Sequence, residues 1–209
     1  MTTQDLWAGI LLELGTATLG ESGAGTLPAR IGAAWPGAAL AAPAVPVRVA
    51  AGDNLAIHVA VAEAPPGHAL VVAVDGEPER GYWGEVLTTA AQARGLVGLV
   101  IDGGVRDVAQ LEHHRFPVFS SMIALRGATK ERPGTVGQTV AIDGTQVAAG
   151  DWVVGDRDGV VVVPGATIEA VVDAGRARAE REQHLFAELH AGRTTIELLG
   201  LDGSRITRA

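Results

Sequence analysis

Two short, almost unbroken apolar runs at residues 69–74 and 96–101, with a helical period between them, constrain this chain more than any other feature. A strand that is apolar at nearly every position must be buried on both faces, as in parallel sheets covered by helices. The flanking segments extend the pattern. Residues 47–50 read as a strand, Asp53 and Asn54 cap a helix reaching about Glu63, and Pro65, Pro66 and Gly67 end it. Residues 83–94 read as a helix stopped by Gly95, residues 105–114 as another, and residues 117–119 as a strand. Strand, helix, strand, helix, strand marks a parallel α/β unit. Aromatic residues are only 4% of the chain, so Ala, Val, Leu and Ile must fill its core.

On either side the texture changes. Leu6, Ile10, Leu11 and Leu14 fall at helical spacing over residues 4–14, with Thr2 or Thr3 as N-cap and Gly15 as stop. Residues 20–46 are rich in Gly, Ala and Pro, keep no period and read as loop. Beyond Lys130, short β-rich pieces at 139–142, 146–148, 152–154 and 160–163 are divided by Asp-Gly and Gly-Asp turns, which predicts hairpins. A long helix over about 166–190 follows. Its second half carries Arg176, Arg178, Glu180, Arg181, Glu182 and Glu188, a face suited either to water or to a neighbouring subunit. No repeat or linker divides the chain. It reads as one domain over 1–209, with an N-terminal helix and loop at 1–45 and a C-terminal helical extension at 166–200.

Several function classes fall away. Lys and Arg total 16 against 24 Asp and Glu, a net charge of −8, which argues against general capture of nucleic acid or an acidic membrane surface. No apolar stretch approaches the roughly 18–20 residues needed to span a bilayer. Asp5 and Glu13 stand where a signal peptide would carry positive charge, so the expected compartment is the cytoplasm. There is no cysteine, hence no disulfide, thiolate metal site or cysteine nucleophile.

The strongest candidate for chemistry is the stretch from Ile101 to Asp107, where an apolar strand meets two glycines and a helix opens. Ligands of open α/β sheets bind beyond this edge. Arg106 offers an anion fork and Asp107 a hard oxygen ligand, a pair suited to a carboxylate substrate beside a divalent metal. The alternative is an ordinary first turn with a dipole-pairing Asp and a surface Arg. Glu85 opens the preceding helix after Gly84, and neighbouring strands would bring it near Asp107. Lys130, the single lysine, lies in a polar turn between Arg126 and Glu131, a poor setting for imine formation. If a carbon–carbon bond beside a carbonyl is made or broken, a metal-stabilised enolate is the better route. The six histidines lack zinc spacing. Asp156 to Gly159 reads as a turn, Gly20 to Gly25 lacks phosphate-loop spacing, and no Gly-x-Ser-x-Gly elbow occurs.

Taken together, Gly-Asp-Asn-Leu-Ala-Ile-His at 52–58, Gly-Tyr-Trp-Gly-Glu-Val-Leu at 81–87, Asp-Gly-Gly-Val-Arg-Asp at 102–107, Phe-Pro-Val-Phe at 116–119 and Gly-Asp-Arg-Asp-Gly-Val-Val-Val-Val-Pro at 155–164 resemble the RraA-like family, in order over residues 45–190. That family includes the class II 4-hydroxy-4-methyl-2-oxoglutarate / 4-carboxy-4-hydroxy-2-oxoadipate aldolases. The resemblance implies an α/β/β/α sandwich with mixed central β-structure and a long C-terminal helix, assembled as a homotrimer or as a hexamer of two trimers. It implies a lyase using Mg²⁺, or Mn²⁺, that cleaves a 4-hydroxy-2-oxo acid to pyruvate and a second 2-oxo acid and decarboxylates oxaloacetate. By the same resemblance Asp107 holds the metal, and Arg106 binds the carboxylate and carbonyl oxygens of the substrate. The loop Gly84, Glu85, Val86 and Leu87 binds the pyruvyl carboxylate through backbone amides. Glu85 orders water, Asn54 lines the pocket, and Glu182 reaches the active site of the adjacent subunit, with Glu85 and Glu182 the candidates for moving the proton of the 4-hydroxyl.

The rival within the family is a non-catalytic protein that binds and inhibits ribonuclease E. Its members lack the aspartate after the arginine, the Gly-(Asp/Glu)-x-Leu loop and the long charged helix, all of which stand in this chain. Methyl transfer from S-adenosylmethionine finds no glycine-rich nucleotide loop. The chain departs from the aldolase pattern at Val86, where leucine is commoner, and in a shorter tail, which leaves the identity of the substrate open.

Overall fold

The two apolar runs lie side by side as parallel strands in the middle of one large sheet. The computed structural model describes residues 2–207. In chain order its elements are α1 (Thr3–Gly20), β1 (Gly25–Thr26), β2 (Gly32–Ala33), β3 (Leu40–Ala50), α2 (Leu55–Glu63), β4 (Ala69–Asp75), β5 (Gly81–Trp83), α3 (Glu85–Ala93), β6 (Gly98–Val105), α4 (Val108–His113) and β7 (Val118–Ile123). There follow β8 (Thr135–Val136), β9 (Val140–Ile142), β10 (Thr145–Val147), β11 (Trp152–Gly155), β12 (Val160–Val163), α5 (Ile168–His190) and α6 (Thr195–Leu199). The main sheet runs β1-β12-β11-β3-β4-β6-β7-β2, with β5 beside β6 and β8 beside β3; β9 and β10 form a separate hairpin. Strands β3, β4, β6 and β7 are mutually parallel, while β11 and β12 join antiparallel, giving the mixed sheet expected.

Along the central strands nearly every residue is buried, and successive side chains pack into opposite layers. In β4, Leu70 and Val72 pack outward under α2–α4 with Ile57, Val61, Leu87 and Leu111, while Ala69, Val71 and Ala73 face inward. In β12, Val160 and Val162 join that inner layer, and Val161 and Val163 pack outward against Leu11, Leu19, Val171 and Val172 of α1 and α5. Helices, sheet, sheet and helices therefore stack as four layers. The inner layer is thin because small residues meet large ones across it. A Cβ on Gly98 would stand 2.5 Å from Leu40 Cδ1, and one on Gly155 would stand 2.7 Å from the Phe119 ring.

Strand β3 joins the two halves, and it corrects the expected strand over 47–50 and much of the expected loop over 20–46. Leu40, Ala42 and Ala44 line the inner layer, whereas Val45, Val47 and Val49 pack under α2. Pro43 and Pro46 hide the strand in sequence but cost it no bond to β4. Parallel pairing begins only at Ala44, and the Pro46 carbonyl accepts from Gly137 N at 2.8 Å, turning that residue away from β4.

Other boundaries shift for local reasons. Gly15 (φ 76°) kinks α1 instead of ending it, and Asp156 recaps the continuation, accepting from Thr16 N at 2.8 Å and Thr16 Oγ1 at 2.6 Å. Trp83 ends a short strand over residues 81–83 and does not start the helix, because these residues add to the edge of β6. Strand β6 runs through both glycines to Val105, so the next helix is only six residues long. Strand β7 extends to Ile123, paired with Val105 of β6. The hairpins after Lys130 and the long terminal helix form as read. Among the described residues no helix is long and apolar enough to cross a membrane.

Candidate active site

Strand β6 delivers Arg106 and Asp107 to its carboxyl end, and β5 delivers Gly84 and Glu85 beside them. The two strands approach this closely because Gly104 has no side chain: a Cβ there would stand 2.5 Å from Arg80 O. Backbone bonds tie the edge, with Gly104 N donating to Pro78 O and Arg106 N to Trp83 O, each at 2.9 Å.

Asp107 is the N-cap of α4, yet its backbone is left-handed (φ 58°, ψ 36°) and its side chain caps nothing in its own helix. Such a conformation in a non-glycine residue costs about 1–3 kcal/mol and collects at functional sites. It turns the carboxylate across to the neighbouring turn, where Oδ2 accepts from Glu85 N at 3.1 Å and lies 3.7 Å from Arg106 Nε. Gly84 leaves room for that carboxylate, since a Cβ on it would collide with Asp107 Oδ2. The amides of Val86 and Leu87 follow in the first turn of α3, where an α-helix provides no internal acceptor.

These groups line a cleft of about 180 Å³ together with Asn54, His58, Tyr82 and Lys130. Asn54 is buried; its Nδ2 donates to Tyr82 O at 2.8 Å while Oδ1 has no partner. A buried acceptor left unpaired costs about 1–3 kcal/mol, and a hydroxyl or water in the cleft would satisfy it. Tyr82 is fixed at the far end of its ring, accepting from Gly52 N and donating to Glu77 O at 2.8 Å each, and burial pushes its hydroxyl pKa up. Burial pushes His58 down, and the charge of Lys130 acts in the same sense. A larger hollow of about 710 Å³ between α5 and α6, bounded by residues such as Arg181, His184 and Glu188, contains no orphaned buried polar atom.

The structure thus brings Asn54, Gly84, Val86, Arg106 and Asp107 together around one cleft. Leu87 touches the cleft but is mainly a core residue of the α2–α4 layer. Glu85 contributes its amide; its carboxylate is directed to His114 Nε2 at 3.5 Å. Glu182 lies apart from the cleft of its own chain, on α5, paired with Arg178 at 2.9 Å, which also pairs with Glu21. Lys130 and His58 are cleft residues that sequence reasoning passed over. Their signal was weak: Lys130 arrives through a backbone bridge between Asp53 and Thr129, 76 residues apart, which no local pattern encodes.

No group of three or more His, Asp or Glu side chains that could hold a metal occurs among the described residues. A cation here would rest on the half-exposed carboxylate of Asp107 and on water. That donor set is one hard oxygen ligand with room around it, which fits Mg²⁺, an ion that keeps several waters, and does not fit zinc.

Comparison with known proteins agrees with the fold. The family described as RraA-like, Aldolase/RraA, matches residues 17–162. A protein of Halalkalibacterium halodurans provisionally named 4-hydroxy-4-methyl-2-oxoglutarate aldolase is 33% identical over 136 residues, covering 65% of this chain and 65% of that protein. The chain therefore matches slightly less than two thirds of that relative's length. An uncharacterized protein from Pseudomonas syringae pv. tomato superposes with a TM-score of 0.79 at 27% identity, over 93% of this chain and 92% of that one. The RNA-processing inhibitor RraA from Thermus thermophilis superposes with a TM-score of 0.62 at 24% identity, over 68% and 85% of the two chains.

Proposed function

The chain belongs to the RraA-like family, and from that premise we propose that it is a divalent-metal-dependent lyase. Its substrates would be 4-hydroxy-2-oxo acids such as 4-hydroxy-4-methyl-2-oxoglutarate or 4-carboxy-4-hydroxy-2-oxoadipate, cleaved to pyruvate and a second 2-oxo acid. Oxaloacetate decarboxylation would be a second activity of the same site, since both reactions leave charge on the pyruvyl fragment. The observation that carries this reading is the meeting of the Gly84–Glu85 turn with Arg106 and Asp107 around one cleft.

Asp107 would hold the cation, which supplies Lewis-acid stabilisation of charge developing on the 2-oxo group. Arg106 binds the pyruvyl end and adds fixed positive charge where that charge accumulates. The free amides of Val86 and Leu87 are placed for a carboxylate at the positive end of α3. Asn54 Oδ1 accepts a hydrogen bond from the substrate and so orients it. The proton of the 4-hydroxyl passes to water ordered by Glu85, or to Glu182 entering from a neighbouring copy in a cytoplasmic homotrimer or hexamer.

The test is pyruvate release from oxaloacetate and from 4-carboxy-4-hydroxy-2-oxoadipate with Mg²⁺ or Mn²⁺, with EDTA, and with Asp107→Ala. Metal-dependent release that the substitution abolishes is the expected result. Release that survives in Asp107→Ala overturns the assignment of the metal site. No release from either acid by the folded protein overturns the lyase reading and directs attention to a non-catalytic role in binding ribonuclease E.

A further inference from the structure

Asp53 is 1% exposed, and its carboxylate accepts four hydrogen bonds. One comes from Leu55 N at 2.9 Å; the other three come from a single strap, residues 129–132, through Thr129 Oγ1 at 2.8 Å, Glu131 N at 2.6 Å and Arg132 N at 3.1 Å. Backbone bonds from Thr129 N to Gly52 O at 2.8 Å and from Asn54 N to Thr129 O at 2.9 Å tie the same strap to the entry of α2. Burial alone would raise the carboxyl pKa, but the strap amides hold it at about 2, so the anchor stays ionised.

Lys130 is carried between these tied residues and lines the same cleft as Asn54, His58, Arg106 and Asp107. Arg106 already has a carboxylate neighbour, whereas Lys130 forms no ion pair among the described residues. In a chain of net charge −8, an unpaired ammonium on a clamped loop, lining a cleft that already holds one guanidinium, is suited to a second anion.

We propose that the 129–132 strap selects the far end of the substrate: Lys130 receives a carboxylate remote from the 2-oxo acid group, and Asp53 is the positioning residue that fixes Lys130. This inference rests on the lyase reading above and assigns a residue of this chain to the second carboxylate that those acids carry. The ammonium must be held in place to discriminate, because a free lysine stem would follow any anion at an entropic cost. The Asp53 clamp removes the freedom of the backbone beneath it.

The experiment compares calorimetric binding of two uncleavable probes in the presence of Mg²⁺. Pyruvate has one carboxylate; 2-oxoadipate has the same 2-oxo acid end and a second carboxylate. The wild-type protein should prefer 2-oxoadipate. Lys130→Met should weaken 2-oxoadipate by roughly tenfold or more, the loss expected for one charge-assisted contact, and change pyruvate by less than about twofold. Lys130→Arg should restore most of the preference, and Asp53→Asn should lower it with pyruvate binding retained. Equal effects of Lys130→Met on both probes, or none on either, overturn the strap assignment and leave the lyase reading standing. Equal weakening of both probes by Asp53→Asn overturns its positioning role. Binding of neither probe by the wild type overturns the lyase reading itself.

Discussion

Substituting Gly84 by alanine tests whether the site depends on the meeting of two turns or merely on the residues they carry. Gly84 has φ −169°, extended backbone that any residue adopts, so the added methyl acts through contact alone. It would stand 3.1 Å from Arg106 Cγ and 3.3 Å from Asp107 Cγ, and would overlap Asp107 Oδ2. Asp107 cannot swing away freely, because its left-handed backbone and short side chain fix the carboxylate. Relieving the overlap requires a displacement of roughly 1 Å, which on the proposed lyase reading costs about a hundredfold in rate, or about 2.7 kcal/mol of barrier. The folded state loses little more than the Glu85 N to Asp107 hydrogen bond, about 1 kcal/mol. Pyruvate release from oxaloacetate with Mg²⁺, measured beside thermal unfolding, should therefore show a large loss of rate with a small loss of stability. Gly9→Ala is the control: Gly9 is an exposed helical position where a Cβ meets nothing within 4 Å. That variant should be about 1 kcal/mol more stable with unchanged activity. Wild-type turnover in folded Gly84→Ala would refute the geometric argument.

Two further outcomes concern the frame. Asp156→Ala removes the acceptor for both Thr16 groups at the kink of α1 and should cost about 1–2 kcal/mol, read as a fall of roughly 3–6 °C in Tm with activity per folded molecule unchanged. Asp53, lowered from 3.8 to about 2, stabilises the fold fully above 3.8 and loses that contribution as pH falls toward 2. The shift corresponds to about 2 to 2.5 kcal/mol for this buried carboxylate. Urea unfolding from about pH 6 down to about pH 3 should show the wild type losing stability faster than Asp53→Asn at the acid end.

Local patterns settled much of this protein. The unbroken apolar runs require strands buried on both faces, and they pair in parallel with α2–α4 over one face and the β11–β12 half of the sheet over the other. Charge and composition argue against general capture of nucleic acid or an acidic membrane surface. Arg106, Asp107, Gly84 and Asn54 stand in short motifs at element ends, where sequence alone marks an exposed carboxyl edge, and they do line one cleft. What the sequence left open depended on contacts between distant segments. The first part of strand β3, residues 40–46, is invisible as a pattern because its prolines and alanines obey the needs of two different neighbours, β11 and β4, along one strand. Trp83 reads as the first residue of a helix until β6 offers residues 81–83 an edge to pair with. Lys130 reads as a surface turn until the buried carboxylate of Asp53 draws residues 129–132 across the entry of α2 and sets that lysine in the cleft. Periodicity reports how much of an element is buried, but not which element buries it; that choice is made by pairing and packing over tens of residues, and the clamp at Asp53 exists only once it has been made.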